Sequence, residues 1–553
     1  MPRDRLIYLP LGGAGEIGMN AYVYGYGRRG AERLILVDLG VAFADMESTP
    51  GVDLIFPDMR WLIDNRERLE AIFLTHGHED HLGALGHFWS RLRVPVYARP
   101  FTSLLARGKL SEQGQPESAV HSVDPRPAVV PAGPFQVSFV PIPHSIPESS
   151  ALLMETPAGR VVHSGDFKLD PAPVIGPPFD AELWGAIGKQ GVHALLCDST
   201  NSFSPHPGRS EASIIPAIDR LVQDAAQRVV ATTFASNVAR VATLARAGQK
   251  AGRSVCLMGR AMQRMIAVAR QSGVLQDFPE TIRADQAART PREHLMLIVT
   301  GSQGERRAAS AQLANGTYNG IDLQAGDLFL FSSKTIPGNE KSVIQITNQL
   351  SRLGVDVVDD TTDGYHVSGH ANRPDLRRMH DLLNPAMVLP MHGEHRHLRA
   401  HAALAQQGGR TSLIATNGSV VDITEDVPQV VETVPSGRVY LDGKVHIGAL
   451  DGVVRDRLRM AMGGHVVVSV LLDEAQNFLE DLWVETMGLA EPVGAPLDAY
   501  LTRALTEFLQ EPGRNDLGDG QKLERKLRRQ VRERCFQAIG KKPQVAVVVS
   551  YLG

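Results

Sequence analysis

Leu74-Thr75-His76-Gly77-His78-Glu79-Asp80-His81 is the stretch on which the fold turns. It follows the apolar run Ala71-Ile72-Phe73, which reads as a buried strand, and leads into LGALGHF, which reads as a helix start. Three histidines, one Glu and one Asp fall between positions 76 and 81. Side chains alternate along an extended loop, so His76 and His78 project to one side. Asp80 and His81 can then face a second point. Neutral imidazole nitrogens and carboxylate oxygens suit Zn²⁺ or Mn²⁺. Burying so many ionisable groups with no cation among them would be costly. One loop cannot close two sites, so further ligands must come from elsewhere in the chain. His144 in PHSIP, Asp166 in HSGD and His392 in PMHGE each follow a strand-like run. Each therefore stands at the C-terminal end of a strand, where loops of one sheet edge converge.

Outward from this loop, the 553 residues correspond to roughly three to four domains at about 150 residues each. Hydrophobic residues make up 43% and charged residues 21%, the balance of a globular protein rather than a disordered one. The net charge of −4 argues against a generally sticky nucleic-acid binder and leaves room for a local basic groove. No apolar run approaches the 18 or so residues of a membrane span, and the first residues lack the apolar core of a secretion signal. Cys197, Cys256 and Cys535 form no CxxC pair, which fits a reducing cytoplasm. Residues 1–204 read mainly as strands. Between 205 and 355 strands such as RVVATTF and HLMLIVTG alternate with helical segments, the pattern of a parallel sheet. Residues 356–450 return to histidine-bearing loops, and 451–553 read as a small α/β module. Within that module, GQKLERKLRRQVRERCFQAIG is a basic helix with Leu523, Leu527, Val531 and Cys535 at every fourth position. It reads as a packed helix with a solvated cationic face, an RNA contact or a subunit interface.

Gly13-Ala14-Gly15-Glu16-Ile17-Gly18 matches GxGxxG after a strand, and Asp38 ends a strand about 20 residues on. A dinucleotide site needs a helix directly after the glycines, to hold the pyrophosphate at its N-terminus. Here MNAYVYGYG follows, and it reads as a strand. The expectation is a tight turn beside an active site. Asp38 is either a strand-end turn or a residue orienting a ligand histidine.

The HxHxDH loop with its later His, Asp and His resembles the metallo-β-lactamase superfamily. DSTN (198–201), HVSGH (366–370) and His392 resemble the added motifs of its β-CASP nucleases. GGAGEIGMN, PGVDLIFPD, HSIPES, GDFKLD, TTFASN, TGSQGE, IPGNE and MHGEHRHL are similar to the bacterial ribonuclease J family over nearly the whole chain. Arg306-Arg307 departs from it, where Pro and an apolar residue would be expected. The fold implied is an α/β metallo-β-lactamase αββα sandwich with an inserted β-CASP α/β domain and a small C-terminal α/β domain. The boundaries expected are 1–204 and 356–450 for the sandwich, 205–355 for the insert and 451–553 for the tail.

The resemblance also implies roles. His76, His78 and His144 would bind one metal, Asp80, His81 and His392 a second, and Asp166 both. The pair would be Zn²⁺ or Mn²⁺, supplying a hydroxide that attacks the phosphodiester. Asp198 and His370 match residues assigned to proton transfer, with His370 near the leaving group and Asp198 as polariser or donor. Asp198 could equally cap a turn. His366, Val367, Ser368, Gly369 and His370 would cradle a 5′-monophosphate, with imidazolium at His366 or His370 adding charge. Ser236 and Asn237 stand at a strand-to-helix turn, which is both an N-cap and an anion site. The backbone of Pro50 and Val52 and the carboxylate of Asp442 match positions that can hold a structural Ca²⁺ in relatives; an ordinary β-turn is the equal alternative. The activity implied is 5′→3′ exonuclease action on 5′-monophosphate single-stranded RNA, with endonuclease action besides, in RNA maturation and decay. A homodimer or homotetramer, contact with other RNA-decay proteins and a cytoplasmic location follow from the same likeness. A small-molecule hydrolase would need no helical insert, and a binding scaffold would not need Asp80, His81, Asp166 and His392. A DNA nuclease or a tRNA 3′-processing enzyme remains open, because no single residue reads a 2′-hydroxyl.

Overall fold

Arg5–Gly12, Ala21–Gly27 and Arg33–Val37 are short, β-branched and aromatic runs separated by glycines, and they pair as an antiparallel meander. The computed structural model describes residues 3–359, 361–362, 364–473, 477–492, 494, 496–511 and 520–552. These three strands sit within an eight-stranded sheet that also takes in Leu69–Phe73 and Ser419–Asp422. A seven-stranded sheet holds Phe135–Pro141, Ser150–Thr156, Gly159–His163, Ala194–Asp198 and Met387–Met391. Tyr8, Tyr24 and Phe73 from the first sheet meet Phe139, Leu152, Leu196 and Leu389 from the second in one buried core. The opposite face of the second sheet, with Leu195 and Cys197, packs on Trp184, Met379, Leu383 and Leu404 from three helices. Pro100–Glu112 covers strands of the first sheet. The layers are therefore helix, sheet, sheet, helix.

Ala194–Asp198 and Met387–Met391 are neighbours in register, with Asp198 opposite Met391. Between them the chain leaves to build a third sheet. It is five-stranded and wholly parallel, in the order Ser254–Met258, Leu295–Val299, Val229–Thr232, Leu328–Phe331, Asp356–Val358. Helices such as Val238–Lys250 and Glu340–Arg352 join the strands. The strands are parallel, so the returning chain passes the end of Ala194–Asp198 first, at His370, and then runs back through the helix Arg373–Leu383 to begin Met387–Met391; the loops at both ends of the insert thus meet at one sheet edge.

The sandwich and its insert form one compact unit, Met1–Ala42 with Phe56–Arg438. Phe43–Ile55 and Val439–Gly553 form a second. In the second, His465–Leu472 lies between Phe478–Met487 and Gln544–Tyr551. Val466, Val468, Val470 and Leu472 alternate inward, as a half-buried strand requires. They meet Leu497, Leu501 and Leu505 from one helix and Leu523, Leu527, Val531 and Cys535 from Gly520–Ile539. The four-residue spacing read from the basic helix is thus a buried seam.

Candidate metal centre and phosphodiester site

Leu69–Phe73 delivers the chain to the sheet edge, and the loop after it is extended only as far as His78. Glu79–Leu82 is a helical turn, so Asp80 and His81 are aimed by a helix start rather than by the alternation of an extended loop. The outcome is still two groups. His78 Nδ1 lies 3.1 Å from His76 Nε2 and 3.2 Å from His144 Nε2. His392 Nε2 lies 3.3 Å from Asp80 Oδ2, and His81 Nε2 lies 3.6 Å from that same oxygen. One oxygen joins the groups. Asp166 Oδ2 is 3.2 Å from His81 Nε2, 3.5 Å from His392 Nε2 and 3.8 Å from both His76 Nε2 and His144 Nε2. The other oxygen, Oδ1, is buried with no hydrogen-bond partner.

Such a donor set fits divalent cations. Burial, with neighbouring imidazoles adding to it, pulls His76 and His144 well below the usual histidine range, and burial brings His78 down to about 4. All three present lone pairs. Burial opposes charge on His392, but the Asp166 carboxylate, with bonds to Asp198 and Asp80, outweighs it and pushes the ring up to about 10. His81 is raised in the same way by Asp166, Asp80 and Asp38 against its burial. In the bare protein these carboxylates keep protons on two rings, and metal binding would release them.

The supporting contacts fix the ring orientations. Asp38, fully buried at a φ of +60°, accepts from His81 Nδ1 at 2.7 Å and from Thr75 N and Oγ1, both at 2.8 Å. Asp38 thus orients a histidine of the cluster. Asn20 Nδ2 donates to the Asp80 carbonyl at 3.0 Å, and the Tyr22 hydroxyl holds the Asn20 side chain at 2.7 Å. In place of the expected tight turn, the glycine motif carries a two-residue strand, Ala14–Gly15, paired with Gly393–Glu394, and leads into the strand Ala21–Gly27, with Gly13, Gly15 and Gly18 all at positive φ. A Cβ on Gly13 would come within 2.1 Å of Asn20 Oδ1, so the motif serves the centre by close approach.

Asp198 and His370 are brought together from the two ends of the insert. His370 Nδ1 donates to Asp198 Oδ2 at 2.8 Å, and Asp198 Oδ1 accepts from Thr200 N at 2.9 Å and Oγ1 at 2.8 Å. Asp198 therefore both caps its turn and holds a histidine. Burial disfavours the His370 imidazolium, but the Asp198 carboxylate prevails and raises it. The His370 ring stands 5.0 Å from that of His144 and 5.6 Å from that of His392. His144 Nδ1 donates to the Gly369 carbonyl at 2.6 Å. A Cβ on Gly369 would meet Ser145 Oγ at 2.6 Å and His144 Cε1 at 2.9 Å. Asn201 Nδ2 donates to Ser368 Oγ at 2.8 Å, and Ser368 Oγ also accepts from His370 N at 3.2 Å.

Of the two rings expected to supply an imidazolium beside the loop, His370 is the one favoured, and His366 is not. Burial, reinforced by the cationic Arg240, Lys334, Lys168 and Arg209, lowers this ring to about 3 and keeps it neutral. The positive charge near the loop belongs to those residues. Arg240, fully buried, forks onto Glu211 at 2.6 and 3.0 Å and donates to Ser332 O at 2.7 Å. It also approaches His366 Nδ1 at 3.4 Å. Val367 is buried beside it. Asn237 caps Val238–Lys250 by accepting from Arg240 N at 3.0 Å, and Ser236 precedes it at the turn. Arg240, Glu211, Thr200 and Asn20 escaped sequence reasoning. Thr200 and Asn20 had a signal, their places inside DSTN and GGAGEIGMN; Arg240 and Glu211 stand in ordinary helical contexts.

Four family models match the chain in succession. They are the metallo-beta-lactamase superfamily over residues 15–224, the ribonuclease J beta-CASP domain over 226–350, the Zn-dependent metallo-hydrolase RNA specificity domain over 354–415, and the ribonuclease J C-terminal domain over 452–552. A ribonuclease J of Sinorhizobium meliloti is 40% identical over 551 residues, covering 99% of this chain and 97% of that one. The chain belongs to the ribonuclease J family. A second ribonuclease J, from Corynebacterium glutamicum, is 37% identical over 96% of this chain and 74% of its own. A crystal structure of a protein of unknown function from Enterococcus faecalis V583 shares the fold, with a TM-score of 0.52 at 17% identity, over 76% of this chain and all of that one. Ribonuclease J membership makes the protein a metal-dependent RNA hydrolase, with a β-CASP domain inserted in a metallo-β-lactamase domain and a C-terminal domain beyond. Among the described residues no helix is long and apolar enough to cross a membrane.

Proposed function

We propose that this ribonuclease J removes nucleotides from the 5′ end of single-stranded RNA bearing a 5′-monophosphate, and that the same centre also cleaves internally. The observation that carries the reading is the single oxygen, Asp166 Oδ2, shared by two imidazole-rich clusters beside a hydrogen-bonded His370–Asp198 pair. His76, His78, His144 and Asp166 would hold one cation, and Asp80, His81, His392 and Asp166 the other. Two divalent ions, Zn²⁺ or Mn²⁺, supply Lewis acidity and a water acidic enough to attack phosphorus near neutral pH.

The protein's own residues do the rest. Asp38 and Thr75 keep His81 and His76 in the tautomers that leave Nε2 available. With Nδ1 committed to Asp198, His370 keeps its Nε2 proton for the departing 3′-oxygen, and the Asp198 carboxylate stabilises the charged ring. Ser368 Oγ accepts from Asn201 and His370 N, which leaves its own O–H to donate to a terminal phosphate. The backbone N–H groups of Val367, Ser368 and Gly369 join it, beside Arg240 and Lys168, whose charges are paired with Glu211 and Asp170. Neutral His366 contributes a hydrogen bond rather than charge. Ser236 and Asn237 add the helix start to the path of the RNA. A chain whose 5′-phosphate rests on this loop is registered against His370 at its end, which sets the 5′→3′ direction. A triphosphate is larger and more highly charged, and fits less well.

Alongside this reading go a division near residues 204, 355 and 450, assembly as a homodimer or homotetramer through the C-terminal module, association with other RNA-decay proteins, and work in RNA maturation and decay in the cytoplasm. The test compares RNAs of one sequence carrying 5′-monophosphate, 5′-triphosphate or 5′-hydroxyl ends, with wild type beside Asp80→Ala and His81→Ala. Wild type is expected to release mononucleotides fastest from the monophosphate, and both variants to be nearly inactive. Equal rates on all three ends would remove the terminal-phosphate site. Full activity after exhaustive chelation would remove the metals.

A further inference from the structure

Pro50 and Asp442, two of the positions that resemblance associates with a structural calcium, meet in the second unit through a guanidinium that stands between them. Arg457, on the helix Val453–Gly463, donates through one nitrogen to Asp442 Oδ2 at 2.7 Å and through another to the Pro50 carbonyl at 3.4 Å. The guanidinium lies against the turn itself. Gly51 has a φ of +75°, and a Cβ there would stand 3.1 Å from the same Arg457 nitrogen that reaches Pro50. The neighbouring carboxylate, Asp53, is engaged elsewhere: its Oδ2 accepts from Gly443 N at 2.8 Å, while its N–H donates to the Leu441 carbonyl at 2.8 Å.

With the Arg457 guanidinium among them, these oxygens do not fit calcium. Ca²⁺ gathers about six to eight oxygens, usually with several carboxylates. Here one carboxylate and a carbonyl already face a cation that carries its own fixed fork of donors. We propose that Arg457 takes the place of the divalent ion. Its guanidinium ties the 49–53 turn, the hairpin Arg438–Asp442/Val445–Gly448 and the helix Val453–Gly463 together, so this chain's module needs no calcium. Removing the guanidinium then leaves the Asp442 carboxylate and the Pro50 carbonyl without their cation, a gap that a calcium ion and its waters can fill.

Calcium uptake by the full-length, zinc-loaded protein tests this, measured by equilibrium dialysis with radioactive calcium alongside thermal melting in chelator and in calcium. Wild type and Asp442→Asn are expected to bind the same amount, and the wild-type melting temperature to be unmoved by calcium. Arg457→Ala should take up one additional calcium per chain, lose it again when combined with Asp442→Asn, and melt higher in calcium than in chelator. Arg457→Gln, which keeps the length and hydrogen-bonding capacity but not the charge, repeats the measurement if the alanine variant does not fold. Calcium bound by wild type and lost on Asp442→Asn overturns the proposal. So does a folded Arg457 variant that binds no more than wild type. Activity on RNA is not the readout, so the outcome is independent of the proposed 5′-end preference.

Discussion

Asp38→Asn isolates the cost of mis-setting one imidazole. The carboxylate accepts three hydrogen bonds: Thr75 N–H on Oδ1, and both the Thr75 hydroxyl and His81 Nδ1–H on Oδ2, at 2.7–2.8 Å. Asparagine has the same shape but one accepting oxygen. With its NH₂ at the Oδ1 position, a buried Thr75 N–H loses its acceptor. With NH₂ at the Oδ2 position, it faces His81 Nδ1–H, and the ring escapes the clash only by moving its proton to Nε2. That nitrogen is the one 3.2 Å from Asp166 Oδ2, so the second cluster loses a ligand. An unpaired buried donor costs about 1–3 kcal/mol, and losing a partner that orients a metal ligand costs about 10–100-fold in affinity or activity. The two ranges agree, since a factor of ten is about 1.4 kcal/mol. Zinc retention under graded competition by a chelator measures the effect. One zinc per chain should be lost at about 10–100-fold lower chelator activity than in wild type, with RNA cleavage falling in parallel. If Asp38→Asn holds both metals as tightly as wild type, Asp38 does not set the His81 tautomer.

Three further outcomes follow from the geometry. His370→Gln should lower the cleavage rate by about 10²–10⁴-fold with metal content unchanged, because it removes a proton carrier and not a ligand; metal loss in step with activity would contradict that role. Gly369→Ala forces a Cβ to within 2.9 Å of His144 Cε1, so overpacking of about 1–3 kcal/mol should appear as weaker zinc retention in the His76–His78–His144 cluster; an unaltered chelator profile would refute the close packing. His380 and His401, whose Nε2 atoms lie 3.0 Å apart, are held neutral by burial, His401 at about 4 and His380 well below its ordinary value of 6.5. The unfolded chain binds more protons below that value, so their contribution is complete above it and is lost as pH falls toward 4. Urea unfolding at pH 7.5 and 5.5 should therefore show a smaller acid loss in the His380→Leu/His401→Leu double variant than in wild type, and equal losses would exclude the pair as a source.

Much of the centre was legible because its information is local. His76, His78, Asp80 and His81 crowd into one loop after one strand, and no packing argument is needed to see that they want cations. His144, Asp166 and His392 were legible as candidates because each follows an apolar run, and strand ends converge. The buried seam of Leu523, Leu527, Val531 and Cys535 could likewise be read from its spacing. Other features are properties of neighbourhoods. His366 reads as a plausible cation until Arg240, Lys168, Lys334 and Arg209 surround it. Asp198 reads as a turn or a proton carrier; that it caps its turn and also holds a histidine is decided only when the chain, leaving the insert, brings His370 to the end of Ala194–Asp198 at 2.8 Å.

By itself, then, the sequence determined the parallel insert and the roster of candidate metal ligands, since periodicity and ligand spacing act within a few residues, and its motifs carried the family resemblance that implied the order of layers. Only the tertiary structure decided which oxygen two clusters share, which rings carry charge, and that a guanidinium stands between Pro50 and Asp442. Those outcomes depend on electrostatic fields and contacts between segments as much as four hundred positions apart, such as Pro50 and Arg457. Burial strengthens such fields, and no short window of residues records them.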